Sequence, residues 1–159
     1  MSAGHQTTAP AAAEVRGLLA DRVGYLLAKL HQRWAAESAA ALREGGLGLT
    51  GVHFGALTIV DAAGPMSQQE LGEMIGKDRT SVVAIVDDLE GEGLVERRRN
   101  PADRRAYALE VTRRGEDWLE RARPALVAAE DRLLASLGPG ERAELVERLK
   151  RILFDRPAG

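Results

Sequence analysis

The stretch SQQELGEMIGKDRTSVVAIVDDLEGEGLVERRRNPADRRAYALEV, residues 67–111, decides the fold. It opens on Ser67-Gln-Gln-Glu70, a capping box in which the serine hydroxyl and the glutamate carboxylate each meet a backbone N–H that the first helical turn leaves orphaned. A short helix follows, with Leu71, Met74 and Ile75 predicted as its apolar face and Gly76 as its stop. Asp78 stands ready to cap a second helix after a turn of about three residues, the spacing of a helix-turn-helix. In that second helix Val82, Ile85, Val86 and Leu89 recur at helical steps and predict a buried face. The opposite face centres on Thr80, Ala84 and Asp87, with Arg79, Ser81, Val83 and Asp88 flanking it.

Gly91 and Gly93 end this helix. Leu94 to Arg99 and Ala106 to Val111 then read as two strands joined by the turn Asn100-Pro-Ala-Asp-Arg-Arg105. A hairpin behind a helix-turn-helix is a wing. This one is cationic: Arg97, Arg98, Arg99, Arg104 and Arg105 stand against Asp103 alone. Arginines so placed suit the phosphates and grooves of a duplex, although alternation along a strand keeps Arg97, Arg98 and Arg99 from all facing the same side.

Outward from this stretch, residues 1–13 lack periodicity and read as a tail. Leu18, Leu19, Val23, Leu26, Leu27, Leu30 and Trp34 predict one long helix from Glu14 to Glu44. Thr50 is expected to cap a second helix reaching Ala63, before Gly64-Pro65 breaks the chain. On the other side Thr112 should cap a helix carrying Trp118, Leu119, Ala122, Leu126 and Val127 to Leu137, kinked at Pro124. A last helix, Glu141 to Phe154, carries Leu145, Val146, Leu149, Ile152 and Leu153. The prediction is a mainly α fold with a small β-hairpin wing, one domain over residues 14–159. Helices 14–44 and 112–156 would pair two copies around the lobe 50–111.

With 159 residues, 45% hydrophobic and 29% charged, the chain has the composition of a single globular domain. Its net charge of −2 means that any attraction to nucleic acid depends on where the arginines cluster. The absence of cysteine excludes thiolate nucleophiles and zinc-thiolate sites. The three histidines have no metal-site spacing, so neither metal nor cofactor is expected. There is no G-x-S-x-G, phosphate loop or H-E-x-x-H, so an enzyme is not expected. No apolar run is long enough for a bilayer span and the N-terminus lacks a signal pattern, which makes a cytoplasmic protein the expectation.

Residues 67–115 resemble the MarR family of bacterial transcriptional regulators. The likeness rests on the helix-turn-helix, on the phrase L-x-x-x-G-L-V-x-R (Leu89, Gly93, Leu94, Val95, Arg97), and on a wing signature, Asp103, Arg105 and Thr112, with Val111 in place of leucine. In element order it covers nearly the whole chain. It implies a homodimeric repressor gripping a pseudo-palindromic operator in double-stranded DNA, released by a small phenolic or aromatic-acid ligand. The alternative is a winged-helix protein that acts through protein contacts, a reading motivated by the acidic edge of the recognition helix.

For such a lobe the expected DNA contacts are Ser67, Gln68, Arg79, Thr80, Ser81, Val83, Ala84, Arg97, Arg99, Arg104 and Arg105, with Asp103 and Arg105 bracing the wing. The chain departs from the family at Val83, Ala84 and Asp88, where hydroxyl-bearing and basic residues are common. Arg79, Thr80 and Ser81 are left to read bases, Val83 and Ala84 suit thymine methyls, and Asp87 and Asp88 would repel phosphates. His31, Trp34, His53 and Phe54 are candidates for a ligand pocket between the dimer helices and the lobe. The plainer reading keeps Trp34 in the core and the histidines half-exposed, and Trp118 is most simply a core or interface aromatic.

Overall fold

The computed structural model describes residues 17–99 and 107–155. In chain order its elements are α1 (Val23–Glu44), α2 (Gly51–Ala63), α3 (Gln68–Ile75), α4 (Arg79–Gly91), β1 (Val95–Arg99), β2 (Tyr107–Val111), α5 (Arg113–Leu133) and α6 (Pro139–Phe154). The mainly helical fold with one hairpin is the one expected. Its core joins Leu42 of α1, Leu57 and Val60 of α2, Leu71 of α3, and Val82, Ile85, Val86 and Leu89 of α4. Leu94, Leu109, Trp118, Leu119 and Ala122 close it from the wing and α5.

Several boundaries and faces differ from the sequence expectation. The first helix is not continuous from residue 14: residues 17–19 are helical, residues 20–22 turn, and α1 starts afresh at Val23 with Arg22 extended. Gly17 and Gly24, of low helix propensity, flank this break, and the residues between them are exposed. Met74 and Val127, predicted on apolar faces, are both more than half exposed. α5 stops at Leu133 rather than Leu137, because residues 134–137 tighten into a turn closed by Leu137 N–H to Leu134 O at 2.9 Å. α6 starts two residues early, with Pro139 in its first turn and Glu141 accepting the Gly138 N–H at 2.7 Å. None of its residues is buried.

The wing pairs β1 and β2 antiparallel, with Val95 opposite Val111 and Arg99 opposite Tyr107. Met66, just ahead of α3, exchanges two backbone hydrogen bonds with Leu109 (3.3 and 2.7 Å), which ties the hairpin to the helix-turn-helix. In this register Glu96 faces Glu110, a like-charge pair that costs stability unless it is screened. Arg98 reaches both carboxylates, at 2.5 and 3.2 Å. Its guanidinium pKa is raised, first by the hydrogen bond to Glu96 and then by the charges of Glu96 and Glu110.

A tight corner joins the wing to α5. The Leu94 carbonyl accepts the Thr112 N–H at 3.0 Å. The Thr112 hydroxyl donates to Gly93 O at 2.7 Å and accepts the Gly115 N–H at 3.1 Å, capping α5. Glycine is required at 115, since a Cβ there would stand 2.2 Å from the Leu94 carbonyl oxygen.

Candidate nucleic-acid interface

The helix-turn-helix is fixed by the caps expected of it. Ser67 Oγ accepts the Glu70 N–H at 3.2 Å, while the Glu70 carboxylate accepts the Ser67 N–H at 2.7 Å. Gly76 ends α3 in the left-handed conformation, φ 64° and ψ 39°, a geometry other residues adopt only with strain. Asp78 caps α4, accepting the Ser81 N–H at 3.0 Å and the Ser81 hydroxyl at 2.7 Å. Both capping carboxylates titrate below their ordinary range. The Ser67 backbone N–H is the main cause for Glu70, and the Ser81 hydroxyl for Asp78. A carboxylate with a depressed folded pKa stabilises above its unfolded pKa, so these caps hold at neutral pH and are lost as pH falls through their lowered values.

The four apolar residues predicted for α4 are the four it buries, which turns Arg79, Thr80, Val83, Ala84 and Asp87 outward. The acidic edge of α4 is paired within the protein. Arg97 of β1 reaches Asp87 at 2.5 Å and also engages Glu90. On the other flank His53 Nε2 lies 3.1 Å from Asp88 Oδ2. His53 Nδ1 faces the Thr50 hydroxyl at 2.7 Å and the Thr50 N–H at 3.3 Å. These partners assign the tautomer with its proton on Nε2, donating to Asp88. The same imidazole completes the capping box of α2.

A cleft of 890 Å³ runs along the outward surface, lined among others by Ser67, Gln68, Lys77, Arg79, Val83 and Tyr107. Four of the expected DNA contacts, Ser67, Gln68, Arg79 and Val83, thus line one concave face, and Thr80 and Ala84 are exposed on the same helix as Arg79 and Val83. Gln68 Nε2 is buried with no hydrogen-bond partner among the described residues. Tyr107 and Lys77 were missed by the sequence reading. Tyr107 reads as an ordinary strand aromatic, and only the register beside Arg99 brings it to the cleft. Arg99 is exposed at the outer end of β1. Asp103, Arg104 and Arg105 lie outside the described residues.

Behind α4 is a second concavity, 580 Å³, walled by His31, Trp34, Ala35 and Ser38 of α1, by Thr50, Gly51 and Val52 at the start of α2, and by Lys77, Ser81 and Ile85. Gly51 makes its floor, because a Cβ there would come within 3.0 Å of Ser38 Oγ. Of the four candidate pocket residues, the structure brings His31 and Trp34 to this wall. His53 and Phe54 are elsewhere: His53 is buried between Thr50 and Asp88, and Phe54 packs on Trp118 with ring centroids 6.4 Å apart. Trp34 is also packed against the core, as its plainer reading expected. Among the described residues no helix is long and apolar enough to cross a membrane.

Comparison with known proteins agrees with this geometry. The sequence profile of the MarR family matches residues 47–106. The HTH-type transcriptional repressor NicR of Pseudomonas putida is 30% identical over 142 residues, covering 87% of each chain. A match to a regulatory protein for the hcr operon of Thauera aromatica spans 63% of that protein's length. Among solved structures, the transcriptional repressor CouR bound to a 23-mer DNA duplex superposes with a TM-score of 0.78 at 33% identity, over 86% of this chain and 96% of that one. PcaV of Streptomyces coelicolor, solved with its natural ligand, gives a TM-score of 0.74 at 25% identity, over 84% and 93%. The chain belongs to the MarR family of DNA-binding transcriptional regulators and is not an enzyme.

Proposed function

We propose that two copies of the chain form a cytoplasmic repressor that releases a pseudo-palindromic operator when a small aromatic acid enters the concavity behind α4. The observation that carries this is the make-up of that wall. Trp34 offers an aromatic face, and His31 and Lys77 offer donors for a carboxylate. Ser81 and Ile85 make the recognition helix itself part of the wall. A ligand seated there touches α4 directly, and NicR and CouR are repressors by name, while PcaV has a natural ligand. Pairing through the terminal helices is supported by apolar side chains that stand exposed among the described residues of a single copy. Leu18 is 76% exposed in residues 17–19, Val23 68% in α1, and Ile152 76% and Phe154 77% in α6.

In this reading α4 enters the major groove with Arg79, Thr80, Val83 and Ala84 foremost, while Ser67 and Gln68 meet phosphates at the start of α3. The Ser81 hydroxyl is held by Asp78, so Ser81 serves the cap before it serves a base. The paired state of Asp87 and Asp88 weakens the case for a protein-contact role, which rested on a free acidic edge.

The test is a titration of benzoate and hydroxybenzoates against neutral phenols into the complex with operator DNA. Carboxylates are expected to release the DNA. The His31→Ala and Trp34→Ala variants should bind DNA within about threefold of the native chain, less than 1 kcal/mol, yet resist release. Release by neutral phenols alone, or variants released as readily as the native chain, would refute the pocket. Arg104→Ala should weaken binding on all sequences alike and flatten the salt dependence by roughly one phosphate-equivalent per subunit. An unchanged slope would remove Arg104 from the contacts.

A further inference from the structure

We propose that Arg97 is a positioning residue for DNA binding, acting through Asp87 and Glu90 rather than through a phosphate. The family phrase that contains Arg97 invites a DNA contact, but its guanidinium is turned the other way. It leaves β1 on the face that looks at α4, with only 28% of its side chain exposed, and closes on Asp87 Oδ1 and Glu90 Oε2. Asp87 and Glu90 stand three residues apart and so share one side of the helix. One planar cation with donors in a fixed fork can serve two carboxylates in a set geometry, where a lysine would offer a single point charge.

The arrangement does two things for a protein whose α4 faces DNA, and the inference rests on that DNA binding. It offsets negative charge beside the phosphates, which would otherwise repel the recognition helix. It also fixes the angle between wing and helix, since β1 and α4 have no other polar side-chain tie among the described residues. Asp88, one position on, is turned about 100° away and is held from the opposite flank by His53 of α2. Helix α4 is thus gripped from both sides, by a cation on one flank and by an imidazole hydrogen bond on the other.

The test uses full-length chain and a duplex selected by the native protein from a random library, with a non-selected duplex of equal length as reference. Native binding to the selected duplex establishes the DNA reading separately from the role of Arg97. Arg97→Ala should weaken binding to the selected duplex roughly tenfold or more while leaving the salt slope unchanged. Adding Asp87→Asn and Glu90→Gln to it should restore affinity to within about threefold, because no charge is left to mask. In the otherwise native chain, Asp87→Asn with Glu90→Gln frees Arg97 toward solvent. Affinity for the reference duplex should then rise, and discrimination between the duplexes should fall. A salt slope flattened by about one per subunit in Arg97→Ala, with no rescue in the triple variant, would make Arg97 a phosphate contact and overturn the proposal. So would an Arg97→Ala chain that binds as the native one does. Should Arg97→Ala unfold, Arg97→Lys supplies the same comparison, with partial masking and an intermediate loss expected.

Discussion

Replacing Ile152 and Leu153 together by glutamate is expected to convert the protein to monomers and to lower its affinity for a full operator by about 10²–10⁴-fold, the range that linking two sites typically gives. The reason lies in α6. Leu145 and Leu149 are half-buried, but at its C-terminal end Ile152, Leu153 and Phe154 are each at least 71% exposed. Two carboxylates brought into a shared apolar seam would be desolvated without a partner. Light scattering after gel filtration reads the mass, and binding to an isolated half-site should barely change. A variant that stays dimeric and binds the full operator normally would show that α6 is not the seam.

Gly115→Ala, at the corner between wing and α5, is expected to be severely destabilising. The new Cβ would lie 2.2 Å from Leu94 O, 2.8 Å from Val111 Cγ1 and 3.1 Å from Leu94 C. Two of these are backbone atoms, and Leu94 O already accepts the Thr112 N–H, so it cannot swing aside without breaking the corner. A loss of about 3 kcal/mol or more follows, at the upper end of overpacking effects. Thermal melting should drop by roughly 6–12 °C for a chain of this size. By contrast Gly140→Ala, where a Cβ meets nothing within 4 Å, should melt within a degree or two of the native chain. Equal melting of both variants would mean that the corner is looser than drawn.

Features set by neighbours in the chain were legible in the sequence. The Ser67–Glu70 box, the Gly76 stop, the Asp78 and Thr112 caps and the buried face of α4 each depend on residues within about one or two turns, so periodicity and capping chemistry reach them. What escaped involves partners far apart in sequence. His53 and Asp88 are 35 positions apart, and their pairing turns an assumed pocket residue into a brace. Arg97 lies 10 positions from Asp87, but only the hairpin's return beside α4 tells that they meet. Lys77 sits in a turn that says nothing of the concavity it borders. Met74 and Val127 look apolar in a helical count, yet lie just off the face that the tertiary contacts selected.

The corner at Thr112 has a mechanical consequence. One hydroxyl joins the wing's base to the first turn of α5, and Gly115 lets the two backbones touch, a rigid joint that is expected to make wing and helix move together. The 21 residues of α5 make an arm about 30 Å long. A tilt of roughly 10° at its far end would sweep the wing by about 5 Å, nearly the 6 Å width of a minor groove. Small adjustments where two copies meet are therefore expected to be magnified at the DNA.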